Sequence, residues 1–205
     1  MNLRPGRVRR FAGIALASLA VTLMAVPGIA REATATAIFA GGCFWCTESD
    51  FEKLDGVVEA VSGYIGGDVR NPCYKQVSAG ATGHAEAVRV SYHPDEISYP
   101  ELVQHFWRTI DPTVKDQQFC DHGRQYRSAI FYEDAEQKQI AEDSLKALQA
   151  SGRFARIETE ISQAGPFYEA EDYHQDYYKK NAVRYKFYRW NCGRDQRLEE
   201  IWGEP

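Results

Sequence analysis

Positive charge is scarce in this chain once its first thirty residues are set aside. Those residues hold Arg4, Arg7, Arg9 and Arg10 and no acid. Taking these four from the 24 basic residues leaves 20 against 29 acidic ones, a net charge of about −9. A surface of that sign repels phosphate backbones and excludes nucleic acid as a partner. No internal repeat and no low-complexity tract is visible, which argues against solenoid and fibrous architectures. No Cys and His spacing fits a standard zinc site, although Cys43-x-x-Cys46 is half of one and Cys120 lies two residues before His122. A long apolar run is missing too: the stretch Phe11 to Val26 is uncharged but short for a membrane span. Cysteine is sparse and odd in number, five in all (Cys43, Cys46, Cys73, Cys120, Cys192). At least one thiol therefore stays outside any intramolecular disulfide.

What is present at the N-terminus is a basic start, then that apolar run, then the small residues Gly28-Ile29-Ala30. This is the pattern of a secretory signal peptide over residues 1–30, cleaved after Ala30. The expected location is periplasmic or secreted, with an uncleaved membrane anchor as the alternative. Residues 31–205 are then one globular domain, with the apolar and charged content ordinary for one.

The chain is organised around Ala40-Gly41-Gly42-Cys43-Phe44-Trp45-Cys46. Thr36 to Ala40 reads as a strand, two glycines permit a sharp turn, and Cys43 to Leu54 reads as a helix with Phe44, Thr47 and Phe51 at helical spacing. Cys43 thus falls at a helix N-terminus, where backbone N–H groups and the helix dipole favour negative charge. A thiol there is expected to ionise more easily, and the thiolate is the nucleophile. The aromatic pair after it implies an apolar pocket. Buried cysteines are mostly inert, so partners must decide between chemistry and packing.

One partner comes from strand alternation. Val57 to Ile65 and His84 to Tyr92 read as strands, and in the second Glu86 shares a face with Val88, Val90 and Tyr92. A carboxylate on an apolar face is either a strand end reaching water or a buried acid. Burial would raise its pKa and keep it protonated, ready to donate. Phe119 to Arg127 packs acid, imidazole, phenol and guanidinium into a loop, the density of a site. Ser98-Tyr99-Pro100-Glu101 is a capping box opening a helix with Leu102, Val103, Phe106, Trp107 and Ile110 as its core stripe. Residues 68–82 read as a loop, 127–132 as a strand, 133–150 as an amphipathic helix and 156–161 as a strand. Phe167 to Lys180 reads as a polar, hydrogen-bonded wall leading into a helix, and Arg184 to Pro205 as an irregular tail.

These motifs together resemble the A-type methionine sulfoxide reductases. The resemblance is carried by Gly42-Cys43-Phe44-Trp45, Gly63-Tyr64-Ile65-Gly66-Gly67, Asn71-Pro72-Cys73-Tyr74, Gly83-His84-Ala85-Glu86, Asp121-His122-Gly123-Arg124-Gln125-Tyr126-Arg127-Ser128, Ala170-Glu171-Asp172-Tyr173-His174-Gln175 and Cys192-Gly193-Arg194-Asp195. It implies an α+β fold, a two-layer sandwich around a mixed, ferredoxin-like sheet with an irregular C-terminal tail. It implies reduction of the S epimer of methionine sulfoxide, free or in proteins, as repair of oxidative damage. By the same resemblance Cys43 is the nucleophile, Glu86 the acid on the sulfoxide oxygen, Tyr74 and Tyr126 hydrogen-bond donors to it, Phe44 and Trp45 the walls of the methyl pocket, and Asp121 a substrate-positioning group. Cys192 is the expected resolving thiol, with Cys46 as a second relay thiol. The chain departs from the family pattern in Cys73, where Thr is usual, and in Cys46, where Gly is common. No metal or organic cofactor is implied; the expected partners are the sulfoxide substrate and a thioredoxin-like external reductant, with a monomeric enzyme. Cys43-Phe44-Trp45-Cys46 alone would also serve a thiol–disulfide exchanger, and a non-enzymatic binder of metal or of oxidised proteins is the third possibility.

Overall fold

The computed structural model describes residues 1–2 and 33–203, so the leader expected over 1–30 lies almost wholly outside the described residues. Eight strands and seven α-helices follow in the order β1 (Ala35–Gly41), α1 (Phe44–Phe51), β2 (Val57–Ile65), α2 (Tyr74–Ser78), β3 (Ala85–Tyr92), α3 (Tyr99–Arg108), β4 (Gln117–Gln118), β5 (Asp121–His122), β6 (Ser128–Tyr132), α4 (Ala135–Ala150), β7 (Glu160–Gln163), β8 (Tyr168–Glu169), α5 (Tyr177–Lys180), α6 (Ala182–Asn191) and α7 (Arg194–Trp202). A 3₁₀ turn, Arg124–Tyr126, links β5 to β6.

Six strands form one mixed sheet in the order β7-β6-β1-β3-β2-β8. Neighbours are antiparallel except β6 and β7. The central strands β1 and β3 are buried on both faces. On β3, Val88, Val90 and Tyr92 face the larger core with Phe39, Phe51 and Phe106, while Ala85 and Ala87 face a smaller one with Ile38, Ile65 and Phe131. Phe39 stacks on Phe51 and Phe106 at 4.8 and 5.1 Å, which fixes α1 and α3 on one face of the sheet. Each such ring stabilises the fold by roughly 1.5–3 kcal/mol through burial.

The α+β sandwich is as expected, and the capping box is present: Glu101 accepts from both the backbone N–H and the hydroxyl of Ser98. Three stretches differ. Residues 68–82 contain the short helix α2, started by the Gln76 side chain accepting from the Cys73 N–H. The strand expected at 156–161 begins only at Glu160, because Glu158 donates its N–H to the Pro112 carbonyl instead of to the sheet. The C-terminal stretch is not an irregular tail; it forms α6 and α7. Its periodicity is hard to see because the buried residues include Tyr185, Arg194 and Trp202 rather than an aliphatic stripe.

Candidate active site

β1 ends at Gly41, and the turn to α1 needs its second glycine. Gly42 sits at φ +87°, and a Cβ there would lie 2.5 Å from the Cβ of Gln118. Gln118 is itself fixed, accepting from the Asp111 N–H and donating to the Asp111 carbonyl. The turn presents Cys43 as the N-cap of α1, with φ −54° and ψ 119°. The first orphan donor of that helix, the Phe44 N–H, is taken by Glu86 Oε2 at 3.0 Å. One hydrogen bond thus ties the acid of β3 to the residue after the thiol.

Around this joint lies a small cavity of about 70 Å³ lined by Cys43, Phe44, Trp45, Tyr74, Glu86, Asp121, Tyr126 and Tyr188. The elements that build it are far apart in sequence: α1, the start of α2, β3, β5, the 3₁₀ turn and α6. Eight residues from six elements converge on one space, and seven of them are residues the sequence had already singled out. Glu86 is 2% exposed, and burial raises its pKa to about 8. It is a carboxylic acid at neutral pH, as expected of an acid on an apolar strand face. Burial also raises Tyr74 to about 12 and Tyr126 further, so both remain O–H donors. Asp121 is raised by burial while its hydrogen bond from the Tyr188 hydroxyl works against the shift.

Cys43 departs from expectation. Its helix N-terminus does not make it easy to ionise: burial, then the Cys46 thiol, then the charges of Glu86 and Asp121 push its pKa well up. The first N–H that would stabilise a thiolate, that of Phe44, is already engaged with Glu86. Cys46 is shifted the other way, chiefly because the Cys43 thiol donates to it and further because Arg194 and Arg189 are near.

Cys192 is not a free thiol in this structure. Cys192 is disulfide-bonded to Cys120, with Cα atoms 4.9 Å apart. The thiol whose ionisation is tied to that of Cys43 is Cys46, three residues on and 1% exposed. Cys73 is exposed, one residue before Tyr74.

The wall from Phe167 to Lys180 positions the pocket rather than entering it. Glu171 accepts from the Tyr74 N–H at 2.8 Å and from the Tyr64 hydroxyl at 2.9 Å. His174 Nδ1 accepts from Trp45 Nε1 at 3.0 Å, and Tyr177 stacks on the Trp45 ring at 3.7 Å between centroids. Burial lowers the His174 pKa, so it is a neutral acceptor. Neither Tyr188 as a pocket residue nor His174 as the acceptor behind Trp45 was recognisable from sequence, because each acts through a long-range contact.

Two groups of donor side chains approach metal-binding spacing among the described residues. Cys120, Asp121 and Cys192 are committed to the disulfide and to Tyr188. Glu48, Glu52 and Asp176 are bridged by Ser62, Tyr178 and Lys179. Of these six residues only Asp121 lines the pocket.

Fold and site together define a thiol-dependent oxidoreductase: a buried cysteine facing a protonated acid and two phenols. Comparison with known proteins makes the class specific. The profile of the family described as "Peptide methionine sulfoxide reductase" matches residues 35–205. A Caulobacter vibrioides protein named Peptide methionine sulfoxide reductase MsrA 2 is 44% identical over 196 residues, covering 96% of this chain and all of the relative. A Vibrio cholerae protein named Peptide methionine sulfoxide reductase MsrA/MsrB is 54% identical over 168 residues; the match covers 82% of this chain but only 44% of that longer protein. Among solved structures, methionine sulfoxide reductase A of Corynebacterium diphtheriae superposes with a TM-score of 0.67 at 38% identity, over 75% of this chain and 77% of that one. The chain belongs to the peptide methionine sulfoxide reductase family, in its A type. It is an oxidoreductase that reduces methionine sulfoxide with redox cysteines.

Proposed function

We propose that this chain reduces the S epimer of methionine sulfoxide, free or in proteins, with the residues of the 70 Å³ cavity in the following roles. Phe44 and Trp45 hold the substrate methyl group by apolar contact. Tyr74, Tyr126 and protonated Glu86 donate to the sulfoxide oxygen, where negative charge builds as sulfur attacks; donors fixed in a dry site stabilise that charge strongly. Asp121, held by Tyr188, positions the substrate. Cys43 attacks the sulfoxide sulfur as its own proton leaves. The S–O bond breaks, the oxygen passes to the Cys43 sulfur with a proton in place of the one the thiol gave up, and methionine departs, leaving Cys43 a sulfenic acid: its sulfur loses the two electrons that the substrate gains.

Resolution falls to the nearest thiol. Cys46 attacks the Cys43 sulfur, expelling water and leaving a Cys43–Cys46 disulfide. Two features support Cys46 over Cys192 for this step: its pKa, lowered chiefly by the Cys43 thiol three residues before it, and the engagement of Cys192 with Cys120. The N-cap conformation of Cys43 leaves it outside the first helical turn, so the bridge need not close within regular helix. Electrons from a thioredoxin-like dithiol then restore both thiols, with no organic cofactor or metal taking part. The enzyme acts as a monomer.

The observation that carries this reading is the convergence of Cys43, Glu86, Tyr74 and Tyr126 on one buried space. With dithiothreitol, the protein should consume the S epimer and leave the R epimer untouched, and Cys43→Ser should abolish turnover. Full activity in Cys43→Ser would end the reading. Without reductant, one methionine per enzyme should form, and peptide mapping should then show Cys43 joined to Cys46.

We infer that the leader directs this activity to the periplasm or outside the cell, with an uncleaved membrane anchor as the alternative. The apolar run with its small-residue cleavage site supports that placement, as does a disulfide joining positions 72 residues apart. Intact mass of the exported protein should begin at Arg31.

A further inference from the structure

One helix face is left unexplained by the pocket. Along α6, Val183, Phe187 and Trp190 recur at i, i+4 and i+7 and all point outward, at 85, 64 and 74% exposure. The opposite face is fully used: Tyr185 is buried, Arg189 pairs with Asp50 and Asp195, and Tyr188 reaches Asp121. Large aromatics on a surface mark an interaction site when they cluster, and the Phe187 and Trp190 rings are 6.1 Å apart. Arg184 and Lys186 lie beside this stripe, both exposed, and neither takes part in an ion pair among the described residues. Lys179, Lys180 and Arg189 nearby are already paired with the chain's own acids.

The helix also ends at a sulfur. Cys192 is the C-cap of α6, two residues after Trp190, and its N–H donates to the Tyr188 carbonyl at 2.9 Å. Its partner Cys120 is exposed, whereas Cys43 and Cys46 are 6 and 1% exposed. A protein thiol that must approach a disulfide in line cannot reach the buried pair, but it can reach Cys120. Asp121, the residue after Cys120, lines the pocket with Cys43. The surface disulfide and the buried thiols are therefore neighbours through one residue of β5.

We propose that the outer face of α6, centred on Phe187 and Trp190, is the docking surface for a thioredoxin-like dithiol protein that delivers electrons to the Cys120–Cys192 disulfide. This deepens the reductase reading and rests on it. The partner's chemistry is set by the surface: an apolar rim around its reactive thiol to cover the aromatics, and acidic groups opposite Arg184 and Lys186. Its thiolate attacks the Cys120 sulfur, the S–S bond breaks, and Cys192 leaves as a thiolate that takes up a proton. The partner's second thiol then displaces Cys120, so the partner ends as a disulfide and Cys120 and Cys192 as thiols. That dithiol reduces the Cys43–Cys46 disulfide by the same exchange and returns to its bridged form.

The test compares two reductants on the mature protein. In the double variant Phe187→Ser with Trp190→Ser, the KM for thioredoxin should rise at least about tenfold, as for loss of aromatic anchors at an interface. Turnover driven by dithiothreitol should stay at the parent rate. A thioredoxin lacking its second cysteine should become trapped on Cys120 in the parent, and more slowly in Arg184→Glu with Lys186→Glu. Unchanged thioredoxin kinetics in both variants, or trapping on Cys73, would overturn the proposal. So would a variant that keeps its thioredoxin kinetics but loses binding to phosphatidylglycerol–phosphatidylcholine vesicles, or loses a dimer seen by sedimentation; these would assign the face to lipid or to a second copy. Absence of dithiothreitol-driven turnover in the parent would instead strike the reductase reading itself.

Discussion

The molecule carries two sulfur sites built on opposite principles. Cys43 and Cys46 sit at the junction of β1 and α1, buried against the central strands of the sheet, and are surrounded by groups that desolvation holds neutral. Cys120 and Cys192 join the β4–β5 hairpin to the end of α6, at the surface and among exposed side chains. A sulfoxide is neutral, so the first site benefits from excluding water: every donor aimed at the oxygen gains strength there. A protein reductant is large, so the second site benefits from exposure. The separation teaches that one sequence need not compromise between a dry reaction site and an accessible redox site if it spends two cysteine pairs instead of one.

The largest expected effect tests the dry site. Glu86→Ala should slow the sulfoxide step by about 10²–10⁴-fold, the range for loss of a general acid. The pH dependence has a definite sign. Burial raises Glu86 to about 8, so the proton is present below that pH and lost above it; the single-turnover rate should fall as pH rises through about 8. Glu86→Gln should remove that alkaline limb. Because the folded pKa lies above the unfolded value, the parent loses stability relative to Glu86→Gln as pH rises from the usual carboxylate range toward 8. Chemical denaturation at pH 5 and pH 8 measures the difference, and a pH-independent difference would place Glu86 in water and dissolve the contrast between the two sites.

These two sites were not equally legible. Cys43 was marked by strand, Gly-Gly and aromatic pair, and Glu86 by period-two alternation on β3; both signals are local, but each also allowed an inert reading, and the family resemblance gave the two residues their roles. Asp121 and Tyr126 lay in a visibly dense loop, but only the family resemblance gave them roles. Tyr188 was silent and His174 stood in a family motif without a role, because the Tyr188–Asp121 and Trp45–His174 contacts span 67 and 129 residues. The Cys120–Cys192 connection was unreadable for a different reason: five cysteines permit many pairings, and spacing does not choose among them. The C-terminal helices were missed because α6 turns its apolar side chains outward, the reverse of the pattern by which a packed helix is recognised.

A smaller effect tests the surface site. The Cys120–Cys192 bridge closes a loop of 72 residues, and the chain-entropy argument for such a loop gives roughly 4 kcal/mol, with about 2–4 kcal/mol typical of measured bridges. Replacing both cysteines by serine should cost that much in denaturant unfolding. Dithiothreitol should destabilise the parent by a similar amount and leave the double serine variant unaffected. Since the buried pair holds thiols, reductant should change nothing there; a double variant that still responds to dithiothreitol would mean that the bridge resides elsewhere.

The smallest effect asks whether the pocket wall is positioned from outside the pocket. His174 touches neither the cavity nor the disulfide, yet it accepts the Trp45 indole N–H, and it is 2% exposed. Removing the acceptor leaves a half-buried donor without a partner, a cost at or below the roughly 1–3 kcal/mol of a fully buried one. Tyr177 still clamps the ring face, so Trp45 should tilt rather than leave. His174→Leu should therefore raise KM for the sulfoxide by about tenfold with kcat little changed, since Trp45 contacts the methyl group and not the oxygen. His174→Gln, whose side-chain oxygen can accept in place of the imidazole, should restore most of the affinity. Burial holds His174 neutral, so the parent KM should be flat through the usual histidine range. A KM that rises as pH falls below 7, or a loss confined to kcat, would give His174 a part in proton transfer and remove the distinction between the wall and the groups that do the chemistry.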